Sequence, residues 1–435
     1  MGNSNGSLSD YWKAFDNTPG LQGGFIWEWK DHGLRQLLPH GKERFAYGGQ
    51  FGDSPHDGNF VADGLMHADL TPHPAMREVA WVHRPVAAQL VGPKTAPLIE
   101  LKNRQTFRDI SWLSATYEIV VDGVVKRKGK LAPTSLSAGK TKRIKVPSIR
   151  GLSGDIRLSI TWKTKRADVW CDRGHVVAWD QLIVKSARPK KNQVSKKRFE
   201  TLNIEPQLSL FRASIDNDGF KLLPNLAWVE TTTLKRWQQQ GIDGNVSQLV
   251  KNQVKRVVRP DGSERFEHVI VIPKTLDDLP RIGVSFPLPE GFTEISWWGN
   301  GPHECYPDRQ SSAMMGIFSG QADELPYLVP QEYGLRTGCR WFEVSNPKTK
   351  EVIRIEADGA ELHMSALPYT TQDLYQAADQ TELVKRPYLT MNIDIAHRGL
   401  GTASCGPDVL PQYRISAGKY QFAYVISRDS RGANR

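Results

Sequence analysis

Cysteine is scarce in this sequence, and long apolar runs are absent. Four cysteines occur in 435 residues, and no two of them form a CxxC pair. A disulfide framework and a cysteine zinc site are therefore not expected, and we predict reduced thiols in a cytoplasmic protein. No apolar run reaches about 18 residues, which excludes a membrane-spanning helix. The first seven residues are neither basic nor apolar, so they do not form a signal peptide.

Acidic residues are fewer than basic residues, and much of the excess lies in one segment. The formal net charge is +10, and residues 185–198 hold seven lysines and arginines and no acidic residue. No aromatic residue is interleaved with them for base stacking, so we interpret this segment as a basic linker and predict no nucleic-acid partner. The length of 435 residues predicts two or three domains.

The first 86 residues have a mixed α/β pattern. Helical spacing of apolar residues predicts a short helix over residues 8–15 and a second helix over residues 74–84. The segment 23–29 is short and apolar and begins with two glycines, which predicts a buried strand. Residues 31–64 are rich in Gly, Asp and His, and we predict that they form a long functional loop.

From residue 87 onward the pattern changes to strands. Apolar and polar residues alternate over 156–162, and Asp122-Gly123 supplies the positive φ angles of a two-residue hairpin turn. About 100 residues of this kind predict a small β-sandwich, and strand-like segments separated by Gly and Pro turns continue to residue 428. The predicted units are 1–86, mixed α/β; 87–186, an immunoglobulin-like β-sandwich; 187–198, the basic linker; 199–428, a large β-sandwich; and 429–435, a polar tail.

Motifs of the common catalytic and metal sites are missing. The sequence has no HExxH, no complete DxDxDG calcium loop, no GxSxG, no P-loop and no Cys/His cluster. The segment 216–219 resembles part of a calcium loop, but it lacks the glutamate of position 12 and is interpreted as a turn. Single histidines such as His32, His40 and His363 carry no specific signal.

Carboxylates and tryptophans leave a carbohydrate enzyme open. Six acidic residues lie in or near the predicted loop, and a retaining glycosidase needs two carboxyl groups about 5–5.5 Å apart. The alternative is that these residues cap turns or face solvent. The 13 tryptophans suit stacking on sugar rings, although core packing explains most of them. The six acidic residues are Glu28, Asp31, Asp53, Asp57, Asp63 and Asp69.

Eight segments, taken together and in this order, resemble the large β-galactosidases of glycoside hydrolase family two. The likeness covers essentially the whole chain, and no single segment is decisive. Residues 21–29, Leu-Gln-Gly-Gly-Phe-Ile-Trp-Glu-Trp, resemble the last strand of the family's catalytic barrel. The eight segments are 21–29, 47–53, 59–65, 69–75, 215–218, 301–309, 334–338 and 416–420.

The resemblance implies that no catalytic residue lies in this chain. Residues 1–4 are similar to the tail of the segment that carries the family's nucleophilic glutamate, which places the nucleophile about five residues before Met1 and the acid/base glutamate further upstream. The implied fold is mainly β, with the last strand and helix of a (β/α)8 barrel, then an immunoglobulin-like β-sandwich, then a large β-supersandwich. A lone strand and helix cannot close a barrel, so residues 1–86 are expected to expose an unpaired edge and an apolar face.

Four residues match the substrate pocket of the family. Trp27 corresponds to a tryptophan that packs against galactose, the alternative being that it fills the top of the barrel. The carbonyl of Phe60 and the side chain of Asp63 correspond to ligands of a sodium ion, and an Asx turn before Gly64 is the alternative for Asp63. Cys405 replaces a tryptophan on the aglycone side of the pocket. Cysteine cannot stack on a sugar, and a buried thiol without a catalytic role is the simplest interpretation.

The implied activity is hydrolysis of terminal β-D-galactose from β-galactosides such as lactose, with a retaining mechanism. The implied cofactors are sodium and magnesium, and the magnesium ligands would lie outside this chain. The implied partners are the β-galactoside substrate, the N-terminal part of the same enzyme and further copies of that enzyme in a homo-oligomer. A non-catalytic β-sandwich subunit that binds carbohydrate or scaffolds an oligomer is the alternative.

Overall fold

The computed structural model describes residues 2–132, 135–187, 194–223, 232–244 and 248–430. Within these ranges the chain is mainly β, as predicted, with 21 strands in five antiparallel sheets and four α-helices. None of the helices in these ranges is both long enough and apolar enough to cross a lipid bilayer.

Two helices and a hairpin form the N-terminal unit. Helices α1 (Leu8–Asn17) and α2 (Ala75–Val82) confirm both helical predictions. The hairpin consists of strands β1 (Leu34–Leu37) and β2 (Glu43–Ala46) and lies inside the segment that we predicted as a loop. That prediction is wrong for these eight residues, because two short paired strands, Leu-Arg-Gln-Leu and Glu-Arg-Phe-Ala, leave no apolar alternation in the sequence.

The predicted buried strand over residues 23–29 is wrong, because this segment is irregular and mostly exposed. Phe25 is fully exposed, and Trp27 and Trp29 are exposed by 80% and 63%. A barrel strand takes its backbone hydrogen bonds from neighbours on both sides, whereas the end of this segment bonds only to residues 63–66 among the described residues. The apolar face expected of the N-terminal unit is therefore present, and the strand is not.

The second unit is a small β-sandwich with one apolar core. Its three-stranded sheet has the order β3-β4-β7 and its four-stranded sheet the order β6-β5-β8-β9. Leu158, Ile160 and Trp162 are buried between the sheets, as the alternation over 156–162 predicts. The strands are β3 (Val86–Val91), β4 (Leu98–Asn103), β5 (Leu113–Val121), β6 (Val124–Lys130), β7 (Thr141–Lys145), β8 (Ile156–Thr164) and β9 (Val176–Lys185).

The hairpin turn between β5 and β6 confirms the turn prediction. Asp122 and Gly123 have φ angles of 50° and 81°, the left-handed values that a two-residue hairpin requires. Gly123 is also needed for a close approach, because a Cβ atom there would lie 2.9 Å from the ring of Trp298 in the large sandwich. The same turn therefore shapes the hairpin and brings it against the next unit.

The third unit is a large β-sandwich. A five-stranded sheet, β10-β13-β20-β19-β16, and a seven-stranded sheet, β11-β12-β21-β18-β17-β14-β15, enclose a core that includes Trp237, Trp297 and Phe342. Its elements are β10 (Gln207–Ser209), α3 (Thr233–Gln239), β11 (Lys251–Val258), β12 (Glu264–Ile272), β13 (Arg281–Glu290), β14 (Glu294–Gly301), β15 (Met314–Gln321), β16 (Arg336–Cys339), β17 (Trp341–Ser345), β18 (Val352–Ala357), β19 (Leu362–Leu367), α4 (Thr371–Gln376), β20 (Tyr388–His397) and β21 (Gly418–Asp429).

Part of the predicted linker and tail lies outside the described residues, namely 188–193 and 431–435. After the first of these gaps, the backbone N–H of Ser195 donates to Oδ2 of Asp261 at 2.7 Å, and Lys197 forms an ion pair with Asp429. The end of the linker is therefore attached to the large sandwich. The predicted domain boundaries themselves stay predictions.

The turn at residues 310–312 joins all three units. Both carboxylate oxygens of Glu78 in α2 accept backbone N–H groups of Ser311 and Ser312, at 3.1 and 2.9 Å. The hydroxyls of Ser9 in α1 and Ser311 lie 2.9 Å apart. From the small sandwich, the indole N–H of Trp179 donates to the carbonyl oxygen of Ser312 at 2.8 Å. Polar contacts thus join the N-terminal unit to the large sandwich at this turn, and others join them elsewhere, such as that between Asn3 and Gln331.

Candidate functional site

The four predicted pocket residues lie in different environments. Trp27 is exposed by 80%, Asp63 is buried with 5% of its surface exposed, and Cys405 is exposed. Phe60 is partly buried, and its ring meets the ring of Phe220 edge-on with centroids 5.5 Å apart. Whether these residues bind substrate stays a prediction, but the structure shows which of them are brought together.

Asp63 is the most unusual of the four. Its carbonyl oxygen accepts the backbone N–H of Glu28 at 3.0 Å, which fixes it beside the residue that follows Trp27. Oδ1 of its side chain is buried and has no hydrogen-bond partner among the described residues. Burial raises the pKa of this carboxyl group, and the charge of Glu28 adds to the increase. A nearby cation would offset both effects.

The loop that carries Phe60 and Asp63 is anchored to a buried turn of the large sandwich. Within the loop, the carbonyl oxygen of Asn59 accepts the backbone N–H of Ala62 at 2.9 Å. The side-chain N–H of Asn59 donates to Oδ1 of Asp216 at 3.0 Å, and the side-chain oxygen of Asn59 has no partner among the described residues. Two buried acceptor oxygens, of Asn59 and Asp63, therefore occur within five residues of the chain.

The turn at Asp216–Asp218 is a short 3-10 helix, consistent with the turn interpretation. Its Asp216 is fully buried, and burial raises the pKa of this carboxyl group to about 6, although the hydrogen bond from Asn59 and the charge of Lys221 oppose the increase. The ammonium of Lys221 donates to the carbonyl oxygens of Pro330 and Ala377, at 2.7 and 2.6 Å. The partly buried ammonium of Lys221 thus supplies positive charge near the buried carboxyl group of Asp216.

A loop near the C-terminal end of the described chain, residues 401–408, contacts the same turn of the large sandwich. Oδ1 of Asn217 accepts the backbone N–H of Ser404 at 3.3 Å, and its side-chain N–H donates to the carbonyl oxygen of Gly401 at 2.7 Å. The next residue, Cys405, is exposed, so the interpretation of a buried thiol is wrong. Partial burial and the charge of Asp63 both raise the pKa of this thiol.

The six acidic residues singled out in the sequence take several roles. Asp53 and Asp69 are exposed, and each accepts a nearby backbone N–H, at 3.0 and 2.9 Å, as the turn-cap alternative predicts. Asp57 is exposed. Asp31 is buried and bonded to a histidine. The remaining pair, Glu28 and Asp63, interact with each other electrostatically.

Several residues that shape this site carry no signal in the sequence. Asn59, Asp216, Asn217 and Ser404 hold three distant segments together, yet none of them belongs to a catalytic or metal-binding motif. The segments that contain Asn59, Asp216 and Asn217 do occur among the eight that resemble the family. That resemblance is the one signal that could have identified these three residues, and Ser404 lies outside all eight segments.

Three family descriptions match the chain. The description "Beta galactosidase small chain" matches residues 182–426, which is more than half of the chain. "Glycosyl hydrolases family 2, TIM barrel domain" matches residues 1–88. "Beta-galactosidase, domain 4" matches residues 99–185. The N-terminal unit therefore corresponds to a fragment of a TIM barrel, and the rest of the chain to β-sandwich domains.

The chain is also similar to curated β-galactosidases. It is 30% identical to that of Arthrobacter sp. (strain B7), over 95% of this chain and 48% of that protein. It is 28% identical to that of Photobacterium profundum, over 98% of this chain and 48% of that protein. For Priestia megaterium (strain DSM 319 / IMG 1521) the identity is 27%, over 92% and 44%.

The chain spans about half the length of the curated relatives it matches, and it corresponds to a C-terminal portion of them. Because the small-chain description alone covers more than half of the sequence, this chain belongs to the β-galactosidase small-chain family, within the β-galactosidases of glycosyl hydrolase family 2.

Proposed function

We propose that this chain is the C-terminal part of a retaining β-galactosidase, which hydrolyses terminal β-D-galactose from β-galactosides such as lactose. The observation that carries the proposal is the position of Trp27, exposed by 80%, next to the loop that holds Asp63, whose buried Oδ1 has no partner among the described residues. An aromatic face suits the C–H face of a sugar. An unpartnered buried oxygen suits a cation, because a buried polar group needs a partner.

In the proposed reaction, both catalytic glutamates belong to a segment outside this chain. One glutamate attacks the anomeric carbon of galactose and forms a covalent glycosyl-enzyme, while the other donates a proton to the leaving oxygen. The second glutamate then takes a proton from water, which attacks the same carbon and releases galactose. This chain contributes a wall of the pocket and the surface on which the catalytic part assembles.

The exposed apolar surface of the N-terminal unit supports an assembly partner. Monomeric proteins rarely expose contiguous apolar patches beyond a few hundred Å², and here the exposed side chains are concentrated in residues 21–51. The partner we propose is the N-terminal part of the same enzyme, which would supply the other strands of the barrel and cover this surface. The large apolar side chains exposed in this region are Leu21, Phe25, Trp27, Trp29, Leu34, Leu37 and Phe51.

Sodium fits the residues present, and we propose that the side chain of Asp63 and the carbonyl oxygen of Phe60 would hold it. A hard cation prefers oxygen ligands, and Oδ1 of Asp63 is a buried oxygen in need of one. When bound, the ion would supply positive charge for a hydroxyl of the sugar. Magnesium is proposed to bind residues outside this chain, near the acid/base glutamate.

Cys405 is proposed to alter the aglycone side of the pocket. Its thiol is exposed, and the loop that carries it bonds to the same turn as the loop that carries Asp63, so it can face a bound substrate. A thiol has no aromatic face to stack on a sugar. We therefore propose that binding of the leaving sugar, and transfer of galactose to that sugar, are weaker than in relatives with an aromatic residue at this position.

A fusion protein tests the proposal. The N-terminal half of the Arthrobacter β-galactosidase, joined to this chain, is expected to hydrolyse o-nitrophenyl galactoside, whereas neither half does so alone. In the active fusion, Trp27→Ala is expected to lower kcat/KM by about tenfold, as loss of one aromatic contact of about 1.4 kcal/mol predicts. Phe107→Ala is the matched control, because this ring is exposed by 97% in a loop of the small sandwich. A folded fusion without hydrolysis contradicts the proposal.

The alternative of a non-catalytic subunit has a separate test. Isothermal titration of the isolated chain with galactose is expected to show no binding if the pocket needs the N-terminal part, and binding in the absence of that part would favour the alternative.

A homo-oligomer of the complete enzyme and a cytoplasmic location belong to the same proposal. Light scattering of the active fusion measures its oligomeric state. The four unpaired cysteines support a cytoplasmic location, since free thiols persist in a reducing compartment.

A further inference from the structure

A buried group of one carboxylate and two imidazoles lies beside the loop that carries Asp63. Asp31 and His73 are buried, and the side chain of His67 is 16% exposed. Nε2 of His73 lies 2.9 Å from Oδ2 of Asp31, and Nδ1 of His67 lies 4.0 Å from the same oxygen. Each residue offers one nitrogen or oxygen such that all three atoms lie within 4.8 Å of one another.

His73 is oriented as a metal-binding histidine is. Its Nδ1 faces the carbonyl oxygen of Pro326 at 3.0 Å, and that oxygen can only accept a hydrogen bond. The proton on Nδ1 is thereby engaged, and Nε2 faces Asp31. Histidines that bind metals donate their other N–H to a carbonyl or carboxylate in this way. Between Nε2 and an ionised Asp31 there must be a proton or another cation, since both atoms are otherwise acceptors.

Asp31 is held by its other oxygen. Oδ1 accepts the backbone N–H of Gly64 at 2.8 Å, which leaves Oδ2 for the two rings. A side chain at position 64 would prevent this contact, because a Cβ atom there would lie 2.2 Å from the backbone nitrogen of Asp31. Asp31 is therefore fixed to the residue that directly follows Asp63.

The space between the carboxylate and the rings suits a small cation. Zinc binds imidazole nitrogen and carboxylate oxygen at about 2.0–2.2 Å, so that its tetrahedral ligands lie about 3.4 Å apart. The observed separations from Oδ2 of Asp31, 2.9 Å to His73 and 4.0 Å to His67, lie on either side of that value. The rings of His67 and His73 pack with centroids 3.8 Å apart, so binding would require the partly exposed ring of His67 to turn away from that of His73. Two imidazoles favour Zn²⁺ over Mg²⁺ or Ca²⁺, which prefer oxygen ligands.

We propose that Asp31, His67 and His73 bind a divalent transition-metal ion, with Zn²⁺ as the best match. Three protein ligands leave a fourth position for water on the exposed side of His67. The ion would connect the Asp63 loop, through Asp31, to the large sandwich, through the contact between His73 and Pro326. This site would exist whether or not the chain takes part in galactoside hydrolysis.

Metal titration of the full chain tests the site, after any purification tag is cleaved and bound metal is removed with a chelator. One Zn²⁺ per chain is expected to bind, and His67→Ala is expected to lower the affinity by about 100-fold in competition with a chromogenic chelator. His175→Ala, which removes an exposed histidine of the small sandwich, is the matched control and should keep the wild-type affinity. Zn²⁺ should raise the Tm of the wild type and the control but not of His67→Ala.

His67→Cys distinguishes a ligand from a residue that only supports the fold. A thiolate at this position should still bind Co²⁺ and should add a sulfur-to-cobalt charge-transfer absorption that the wild type lacks. That absorption, together with weak binding in His67→Ala, supports the proposal. Equal Zn²⁺ affinity in the wild type and His67→Ala overturns it. So does a folded wild type without saturable binding, or a His67→Cys protein without the new absorption.

Discussion

Replacing Glu78 by glutamine is expected to loosen the contact between the N-terminal unit and the large sandwich. Glu78 is buried with 1% of its surface exposed, and its two oxygens accept the backbone N–H groups of Ser311 and Ser312, at 3.1 and 2.9 Å. Glutamine has nearly the same shape, so the substitution creates no cavity. One of its terminal atoms is an NH₂ donor, however, and it would face a backbone N–H that is also a donor.

The expected cost is about 3 kcal/mol at this contact. A hydrogen bond to a charged group contributes about 1.5–3 kcal/mol, and a buried donor left without an acceptor costs about 1–3 kcal/mol. Glu78→Gln removes one such bond, leaves one N–H unpaired and makes the other bond neutral, so about 3 kcal/mol is a moderate expectation. This free energy corresponds to an increase of about 100-fold in the opening equilibrium of the contact.

Hydrogen exchange followed by mass spectrometry measures this effect, because the amides of Ser311 and Ser312 exchange only when the contact opens. Glu78→Gln is expected to accelerate their exchange by about 100-fold. Glu43→Gln is the control, because Glu43 forms an exposed ion pair with Arg35, and such pairs contribute little to stability. Equal exchange of these two amides in both variants would refute the role assigned to Glu78.

Two further predictions concern the sandwiches. Burial lowers the pKa of His268 from its usual 6.5 to about 4. Above pH 6.5 this histidine is neutral in both the folded and the unfolded chain, and stability is unaffected. As the pH falls from 6.5 toward 4, only the unfolded chain takes up the proton, so the folded state loses stability. Between pH 7 and pH 5 this loss amounts to about 2 kcal/mol. Urea denaturation at both pH values should show a smaller difference in the free energy of unfolding for His268→Gln than for the wild type. An equal difference in the two proteins would contradict this role of His268. Trp162→Ala should lower the free energy of unfolding by about 3–5 kcal/mol, since this ring is 2% exposed. The exposed Trp170 provides the control, and a similar loss for Trp170→Ala in urea would contradict the prediction.

The elements predicted correctly from the sequence are those that depend mainly on their own residues. Helices α1 and α2 lie over the predicted segments, because the spacing of apolar residues and the flanking residues define a helix locally. The turn at Asp122-Gly123 was predictable because these two residue types tolerate the positive φ angles that the turn needs. In both cases the sequence contains the physical cause.

The segment 23–29 and Cys405 show what a local pattern cannot decide. An apolar run after two glycines forms a buried strand only if neighbouring strands supply hydrogen bonds and cover it, and the described chain supplies neither. Cysteine is among the residue types most often buried, yet the loop at 401–408 leaves Cys405 exposed. Burial is a property of the surroundings, so residue type alone gave the wrong expectation in both cases.

The contacts that build the candidate site were not predictable in the same way. Asn59 reaches Asp216 across 157 positions of the sequence, and Ser404 reaches Asn217 across 187. A side-chain amide or hydroxyl bonds to whatever partner the fold brings near, so the spacing of residues in the sequence does not predict these pairs. Three of the family-like segments, 21–29, 59–65 and 215–218, meet at the candidate site, whereas the loop at 401–408 lies in none of the eight, and the fold was needed to show how they meet.

Trp27 and Asp63 are mismatched to their surroundings in opposite ways. Trp27 leaves 80% of its surface in water, although burial of a large apolar side chain stabilises a protein by about 1.5–3 kcal/mol. Asp63 is buried, yet its Oδ1 has no partner among the described residues, and such an unpaired group costs about 1–3 kcal/mol. A partner that completes the barrel would cover Trp27, and a bound cation would supply the missing partner of Oδ1 of Asp63. Because one assembled pocket removes both costs, the proposed complementation accounts for this region better than an independent sugar-binding module.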